Sequence, residues 1–254
     1  MGVMTEILTD ALRGADAAFS GNSLLSTFSP EARKLIEPFG KLIELEAGEL
    51  VLRPGEQVRN SLFPVGGTMV ALTLDMAGGR SAEVASIGRE GAIGGIVSCG
   101  SAPAYTRALV LVGGPAFSVP MKALEDAKQQ SNFVGNLFCR FSDYLLAQVM
   151  QSAACNAHHS ISQRTARWLL HAQDRAGDRI ALTQEALAGL LGVQRTTLNA
   201  VLQELQEAGL IATARGVVRV LDRAGLKLRS CECHDTLQSH FAAVIGSSGT
   251  GKEA

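Results

Sequence analysis

The chain has 254 residues, 46% of them hydrophobic and 5% aromatic, with a formal net charge of −1. That supplies an ordinary core and room for two domains of roughly 100–150 residues, and it excludes a disordered or fibrous chain. It also excludes a uniformly basic nucleic-acid binder. The charge is divided: from His158 to Ser230 ten Arg or Lys face six Asp or Glu, a net of +4 that leaves −5 for the rest. A mildly basic C-terminal part on an acidic body fits a local DNA-binding surface. No apolar run approaches the ~20 residues of a membrane span. Met1–Phe19 lacks the apolar stretch of a signal peptide. The odd set of cysteines, Cys99, Cys139, Cys155, Cys231 and Cys233, then reads as reduced thiols in a cytoplasm, with no membrane partner.

In chain order, Ser29 before Pro30 is a helix start, an N-cap followed by the one residue whose missing N–H costs nothing there. That helix is expected to reach about Phe39. From residue 41 to 120 thirteen of the 27 glycines punctuate short β-rich runs: Lys41–Leu45, Leu50–Leu52, Leu62–Val65, Met69–Asp75, Ala82–Ile87, Ala108–Val112 and Ala116–Val119. Turn signals at Gly48, Pro54-Gly55, Gly66-Gly67, Gly78-Gly79, Gly88 and Gly113-Gly114 give the spacing of a small antiparallel β-roll. A short helix follows over Met121–Gln129. Asn132 to about Ala157 then reads as one long helix, with Val134, Phe138, Phe141, Leu145, Val149 and Ser152 on a 3–4 spacing. Such a stripe packs inside its own domain or against a second copy. The helix outruns the neighbouring domain, which favours a dimer seam of Val134, Phe138, Phe141, Leu145 and Val149. A further helix spans Ser162 to about Arg175.

The segment from Leu182 to Gly209 carries the functional signal. Thr183 is an N-cap, Leu187, Leu190 and Leu191 share one face, and Gly192 stops the helix after about two turns. A second helix starts at once, with Leu198, Val201, Leu202 and Leu205 inward and Gly209 at its end. Short helix, glycine turn and longer helix make a helix-turn-helix pattern. The start of its second helix is where such units touch base edges, and it carries Arg195, Thr196, Thr197 and Asn199, side chains that suit guanine, adenine and phosphate. Thr183 and Gln184 open the first helix. Ile211–Thr213 and Val217–Leu221 then alternate around Arg215-Gly216 as a hairpin wing, with Arg215 and Arg219 free for phosphate.

At this point the chain resembles the Crp/Fnr superfamily of bacterial transcription regulators, over roughly residues 22–235. The resemblance rests on Leu182-Thr-Gln-Glu-Ala-Leu-Ala-Gly-Leu-Leu-Gly192, Arg195-Thr-Thr-Leu198 and Leu205-Gln-Glu-Ala-Gly-Leu-Ile211. Upstream it rests on Leu45-Glu-Ala-Gly-Glu49, Arg53-Pro-Gly-Glu56, Ile87-Gly-Arg-Glu-Gly91 and Gly94-Gly95. It implies an α+β chain in four parts: a cyclic-nucleotide-binding-like antiparallel β-roll over 22–130, a long dimerisation helix over 131–157, a winged helix-turn-helix over 158–235 and a flexible tail over 236–254. It implies a cytoplasmic homodimer on a roughly palindromic DNA site, a partnership with RNA polymerase, a small-molecule effector and no enzymatic activity. Arg195 falls where the family commonly contacts guanine. Ala200 stands where cyclic-AMP-binding members carry a base-reading arginine, so the DNA site should differ from theirs. The class competing with it is a ligand-binding module that signals through a protein partner.

The effector pocket departs from the family pattern. Where cyclic-nucleotide binders hold the ribose with a Glu after the glycine matched by Gly94, this chain has Gly95. Their Arg-Ser phosphate pair falls on Tyr105 and Thr106, with Arg107 one place late and able to serve only if the loop is shifted. An iron–sulfur member would carry cysteines near the N-terminus, and none precedes Cys99. His158, His159 and His171 are the nearest haem candidates; His158 and His159 sit at the hinge between domains and read better as satisfied surface histidines. Cys231-Glu-Cys233-His234 offers three ligands in four residues, which cannot easily close a tetrahedral zinc site without a fourth from elsewhere. The expectation is therefore reduced thiols on a surface tail, with no metal and no cofactor. Gly246 to Lys252 imitates a phosphate-binding loop but lacks the closing Ser or Thr. Gly88, Gly91 and Gly94 lack a βαβ unit, and no nucleophile elbow is present.

Overall fold

The computed structural model describes residues 14–78, 80–95 and 102–246. Cys99, the second glycine of the Gly78-Gly79 turn and all but the first residue of the phosphate-loop imitation lie outside them. After a helical stretch over 14–21, helix α1 (Pro30–Ile36) starts as expected: the Ala32 N–H donates to the Ser29 hydroxyl at 3.2 Å, and Pro30 takes the first position. A 3-10 turn over Glu37–Phe39 ends it.

Seven strands match the seven β-rich runs: β1 (Lys41–Leu45), β2 (Leu50–Leu52), β3 (Asn60–Pro64), β4 (Met69–Met76), β5 (Arg80–Ile87), β6 (Arg107–Val112) and β7 (Gly114–Pro120). They pair antiparallel as two sheets, in the orders β1-β7-β3 and β2-β6-β4-β5. Leu45, Leu62, Val70, Ile87, Ile93 and Val110 fill the space inside the roll. Helix α2 (Met121–Gln130) leads into α3 (Asn132–His158), a 27-residue helix capped by Ser131, whose hydroxyl accepts from the Val134 N–H.

The apolar stripe on α3 faces its own subunit. Val134, Phe138 and Phe141 are sealed in a core with Phe19, Phe63 and Leu124, and Leu145 closes the roll interior. These four are not a dimer seam. The periodicity is real, but the face belongs to the roll, whose own apolar surface needs a lid. Of the five expected seam residues only Val149 is exposed, at 38%, beside Leu146 and Met150 (61%).

Helix α4 (Ile161–Ala176) opens on a capping box between Ser160 and Gln163. It packs with β8 (Arg179–Ile180), α5 (Gln184–Leu191), α6 (Arg195–Glu207), β9 (Ile211–Ala214) and β10 (Val217–Val220), the strands ordered β8-β10-β9. Helices α7 (Arg223–Arg229) and α8 (Cys233–Val244) follow. Residues 236–244, expected as tail, are thus helix. Leu237 is buried on the 3–4 spacing from Cys233, Phe241 sets its ring 4.9 Å from that of Tyr144, and His240 pairs with Asp143 at 3.0 Å, so α8 lies along α3. Among the described residues no helix is long and apolar enough to cross a membrane.

Candidate nucleic-acid interface

Helix α5 is short because both ends are specified. The Ala186 N–H donates to the Thr183 hydroxyl at 3.1 Å, and Gly192 stops the helix in the left-handed region, φ 66° and ψ 33°. The chain then turns into α6. Gln194 at its N-cap makes no side-chain cap, so the first-turn N–H groups stay unclaimed by the cap residue. Leu198, Val201, Leu202 and Leu205 anchor α6 on Leu169, Leu187 and Ile211. The opposite face is left to solvent: Arg195, Thr196 and Thr197 are exposed on the first turn, and Ala200 and Gln203 continue the strip. Thr183 is exposed and Gln184 half-buried at the start of α5. Asn199 is half-buried, its side-chain oxygen turned inward without a hydrogen-bond partner, so it is presented less openly than expected. The wing turns at Gly216 (φ 72°), with Arg215 and Arg219 exposed. Cationic and hydroxyl groups therefore sit on the start of a helix small enough for a major groove, flanked by a hairpin with two arginines.

The roll holds a cavity of about 640 Å³ between β-strands and α3. Gly94, Gly95, Tyr105 and Thr106 all border it, as expected for an effector pocket, but the surroundings are apolar: Leu52, Val58, Leu72, Val84, Ile93 and Leu146 supply much of the wall. Arg107 is not among its lining residues. Its guanidinium donates to Asp75 across the β4–β6 pair at 2.9 Å and so serves the strand pair and not the cavity. Asp143 is the charged residue on the described wall, and it is acidic. A side chain at Gly95 (φ 67°) would strain the backbone and require the Met121 thioether to move aside.

A joint between roll and helix-turn-helix, which sequence reasoning missed, is built from buried polar pairs. Arg175 at the end of α4 donates to Glu90 at 2.7 Å and to the Ser86 carbonyl at 3.1 Å. Burial works against its charge, but the Glu90 carboxylate overrides this and raises its pKa. The Trp168 indole N–H donates to Glu83 at 2.9 Å, where burial pushes the Glu83 carboxyl up. The glycines of Ile87-Gly-Arg-Glu-Gly91 now have reasons: a Cβ on Gly88 would meet Arg175 Cγ at 2.7 Å, and one on Gly91 would meet the Phe141 ring. Around these pairs Met69, Ala71 and Leu111 of the roll share one apolar cluster with Trp168, Leu169 and Leu187.

The cysteine expectation is corrected. Cys231 and Cys233 are buried and not on a surface tail, and Cys155 and His159, one helical turn apart at the end of α3, lie in one group with them. The signal was C-x3-H plus C-x-C, but about seventy residues separate them. Only the return of α8 onto α3 brings them together. His234 is not part of this group: its Nε2 faces Asp174 at 2.8 Å and its Nδ1 faces Asp235 at 3.1 Å. The expected haem histidines are scattered: His158 is exposed, His159 joins the cysteines, and His171 lies against His234, ring centroids 4.9 Å apart.

Residues 163–229 match the family model of the Crp-like helix-turn-helix domain. Curated proteins gave no match. Among solved structures the chain is similar to FixK2 from Bradyrhizobium japonicum, with a TM-score of 0.64 and 16% identity over 76% of this chain and 98% of that one. It is similar to a putative transcriptional regulator of the Crp/Fnr family from Eubacterium rectale, with a TM-score of 0.61 and 18% identity over 85% and 97%. A CRP-family transcriptional regulator from Thermus thermophilus gives 0.62 and 20% over 74% and 96%. Residues 163–229 thus form a Crp-like helix-turn-helix domain, and the chain as a whole has the fold of Crp/Fnr-type regulators.

Proposed function

We propose that the chain acts as a homodimer that binds a roughly palindromic DNA site in a sequence-specific way. One observation carries this reading: the solvent-facing first turn of α6 gathers Arg195, Thr196 and Thr197 with no packing role, beside the exposed Thr183 and Arg215. Side chains that neither cap nor pack, on a matched DNA-binding domain, are best explained by a ligand. Arg195 reads guanine, the threonines and Arg215 hold phosphates, and Asn199 turns outward onto an adenine edge when DNA arrives.

The second subunit is supported by the outer face of α3. Cys139, Ser142, Leu146, Val149 and Ala153 repeat along it at alternating steps of three and four, the spacing of a two-helix seam, with Met150 beside them; Ser142, Leu146 and Val149 also border the roll cavity, so a seam there would run past its mouth. The roll is the sensing part. Its apolar wall and acidic Asp143 favour an uncharged, apolar effector over a cyclic nucleotide, whose phosphate would find no cation on the described wall. The chain works through binding and not through catalysis.

The test begins with fragmented genomic DNA retained on purified protein and sequenced at two salt concentrations. A palindromic motif is expected to survive the higher salt. On that motif Arg195→Ala should weaken binding by about 1–3 kcal/mol and relax one base position in each half-site. Equal affinity and equal specificity of the variant would overturn the assignment.

A further inference from the structure

We infer that Cys155, His159, Cys231 and Cys233 form a tetrahedral zinc site that ties the C-terminal segment to the end of the long helix. The Sγ atoms of Cys155 and Cys231 lie 3.6 Å apart, and Cys233 Sγ lies 3.5 Å from His159 Nδ1. All four ligand atoms fall within 4.8 Å of one another. With Zn–S near 2.3 Å and Zn–N near 2.05 Å, a tetrahedral ion holds sulfurs about 3.8 Å apart and a sulfur and a nitrogen about 3.6 Å apart. The two separations meet that requirement before any metal is added. An iron–sulfur cluster is a poorer fit, because a body of several atoms has to lie between its ligands and spread them further.

The surroundings are those of a metal site. Glu232 faces the other imidazole nitrogen of His159, Oε1 to Nε2 at 3.3 Å, which fixes the tautomer that leaves Nδ1 free to bind. The Gln151 amide donates to Cys233 Sγ at 3.0 Å, a hydrogen bond that suits a thiolate. Three thiolates and a histidine on a divalent ion carry one negative charge. Arg167 lies beside Cys155, is 8% exposed and makes no salt bridge among the described residues. An anionic centre there adds to the negative charge that Glu83 offers Arg167. The three cysteines make a buried cluster of their own, apart from the larger apolar clusters.

The chemistry specifies the occupant. Thiolate-rich tetrahedral sites select zinc among the abundant divalent ions, and four protein ligands leave no open position, so the site is structural. Zinc displaces the thiol protons as it binds, and the ion's affinity becomes stability of the fold. Its place is specific too: His159 is the last residue before the capping box of α4, so the ion sits where the long helix hands over to the helix-turn-helix. The site stands whether or not the chain binds DNA.

The experiment is metal analysis of untagged protein purified under reductant and without chelator, together with cobalt substitution. We expect about one zinc per chain, falling below a tenth in Cys155→Ser and in Cys233→Ser and remaining at about one in Cys139→Ser. Apo-protein given cobalt(II) should show the intense visible bands of a tetrahedral thiolate complex, and zinc should bleach them at one equivalent. If the serine variants fail to fold, His159→Gln keeps the test open: it should bind cobalt with altered bands and at least tenfold more weakly. Wild-type protein without zinc and without the cobalt spectrum would overturn the site. So would metal-free protein in which diamide, as oxidant, converts the Cys155 and Cys231 thiols to a disulfide while added zinc gives no protection.

Discussion

Replacing Glu90 by alanine tests whether the joint between roll and helix-turn-helix is held by its buried ion pair. Arg175 is 5% exposed and Glu90 15%, with 2.7 Å between them. Without the carboxylate the guanidinium keeps only two carbonyls, Ser86 at 3.1 Å and His171 at 3.2 Å, and no negative partner in contact. Removing one half of a buried pair costs about 3–5 kcal/mol, because the remaining charge stays desolvated. Total stability is on the order of 5–15 kcal/mol, so the loss is a large part of it. At roughly 2–4 °C per kcal/mol for a chain of this size, the melting temperature should fall by roughly 6–20 °C. Trp168 is the single tryptophan and sits in the joint, so urea titration followed by its fluorescence reads the event directly. Two comparisons sharpen it. Asp126→Ala breaks the exposed pair with Lys122 and should cost no more than about 1 kcal/mol. Glu90→Leu combined with Arg175→Met, which removes both charges, should recover much of the loss. A cost below about 1 kcal/mol for Glu90→Ala would refute the reasoning, since the pair would then be solvated.

On the outer face of α3, Met150→Glu should shift the protein from dimer to monomer in analytical ultracentrifugation, with the far-ultraviolet spectrum unchanged because Met150 touches no core; a persistent dimer would remove that face from the seam. Burial, with help from Arg175 and Arg167, holds the His171 imidazole well below its usual 6.5. Below pH 6.5 the unfolded chain takes up a proton that the folded chain refuses, so stability falls with pH, by about 1.4 kcal/mol at pH 5.5. His171→Gln should flatten the pH dependence of the urea midpoint between pH 7.5 and 5.5, and an unchanged slope in the variant would rule His171 out as its source.

The helix-turn-helix was legible because its determinants are local. Thr183, Gly192 and the leucines of α5 and α6 are each specified within a few residues, and the structure places them as the pattern requires. The seven strands were legible for the same reason, glycine turns between β-rich runs. Helix α3 was legible as a helix but not in its partner. A 3–4 spacing states that a face is buried, and it does not say whether the cover is a neighbouring domain or a second chain. Phe138 and Phe141 meet Phe63 and Tyr144 of their own subunit. The cysteine group could not be seen at all from spacing. Cys155 and Cys231 are joined only because α8, which its terminal position suggests is a tail, has Leu237 and Phe241 to dock it on α3. The partner of Arg107 was hidden for a comparable reason, since Asp75 reaches it from a strand paired by the fold.

The apolar cluster shared by Met69, Ala71 and Leu111 with Trp168 and Leu187 has a consequence for how such a protein changes over generations. Arg195, Thr196 and Thr197 on the solvent face of α6 are exposed and pack in no core cluster, so each can be exchanged alone and the preferred DNA sequence can drift in single steps. A residue at the joint has a neighbour in the other half of the chain: the glycine at 88 leaves the space that Arg175 fills, and Glu83 takes the indole N–H of Trp168. Exchanges there have to come in matched pairs, one from each half. The reading head is therefore quick to retune, while the roll and the helix-turn-helix are bound to descend together and resist being shuffled onto other partners.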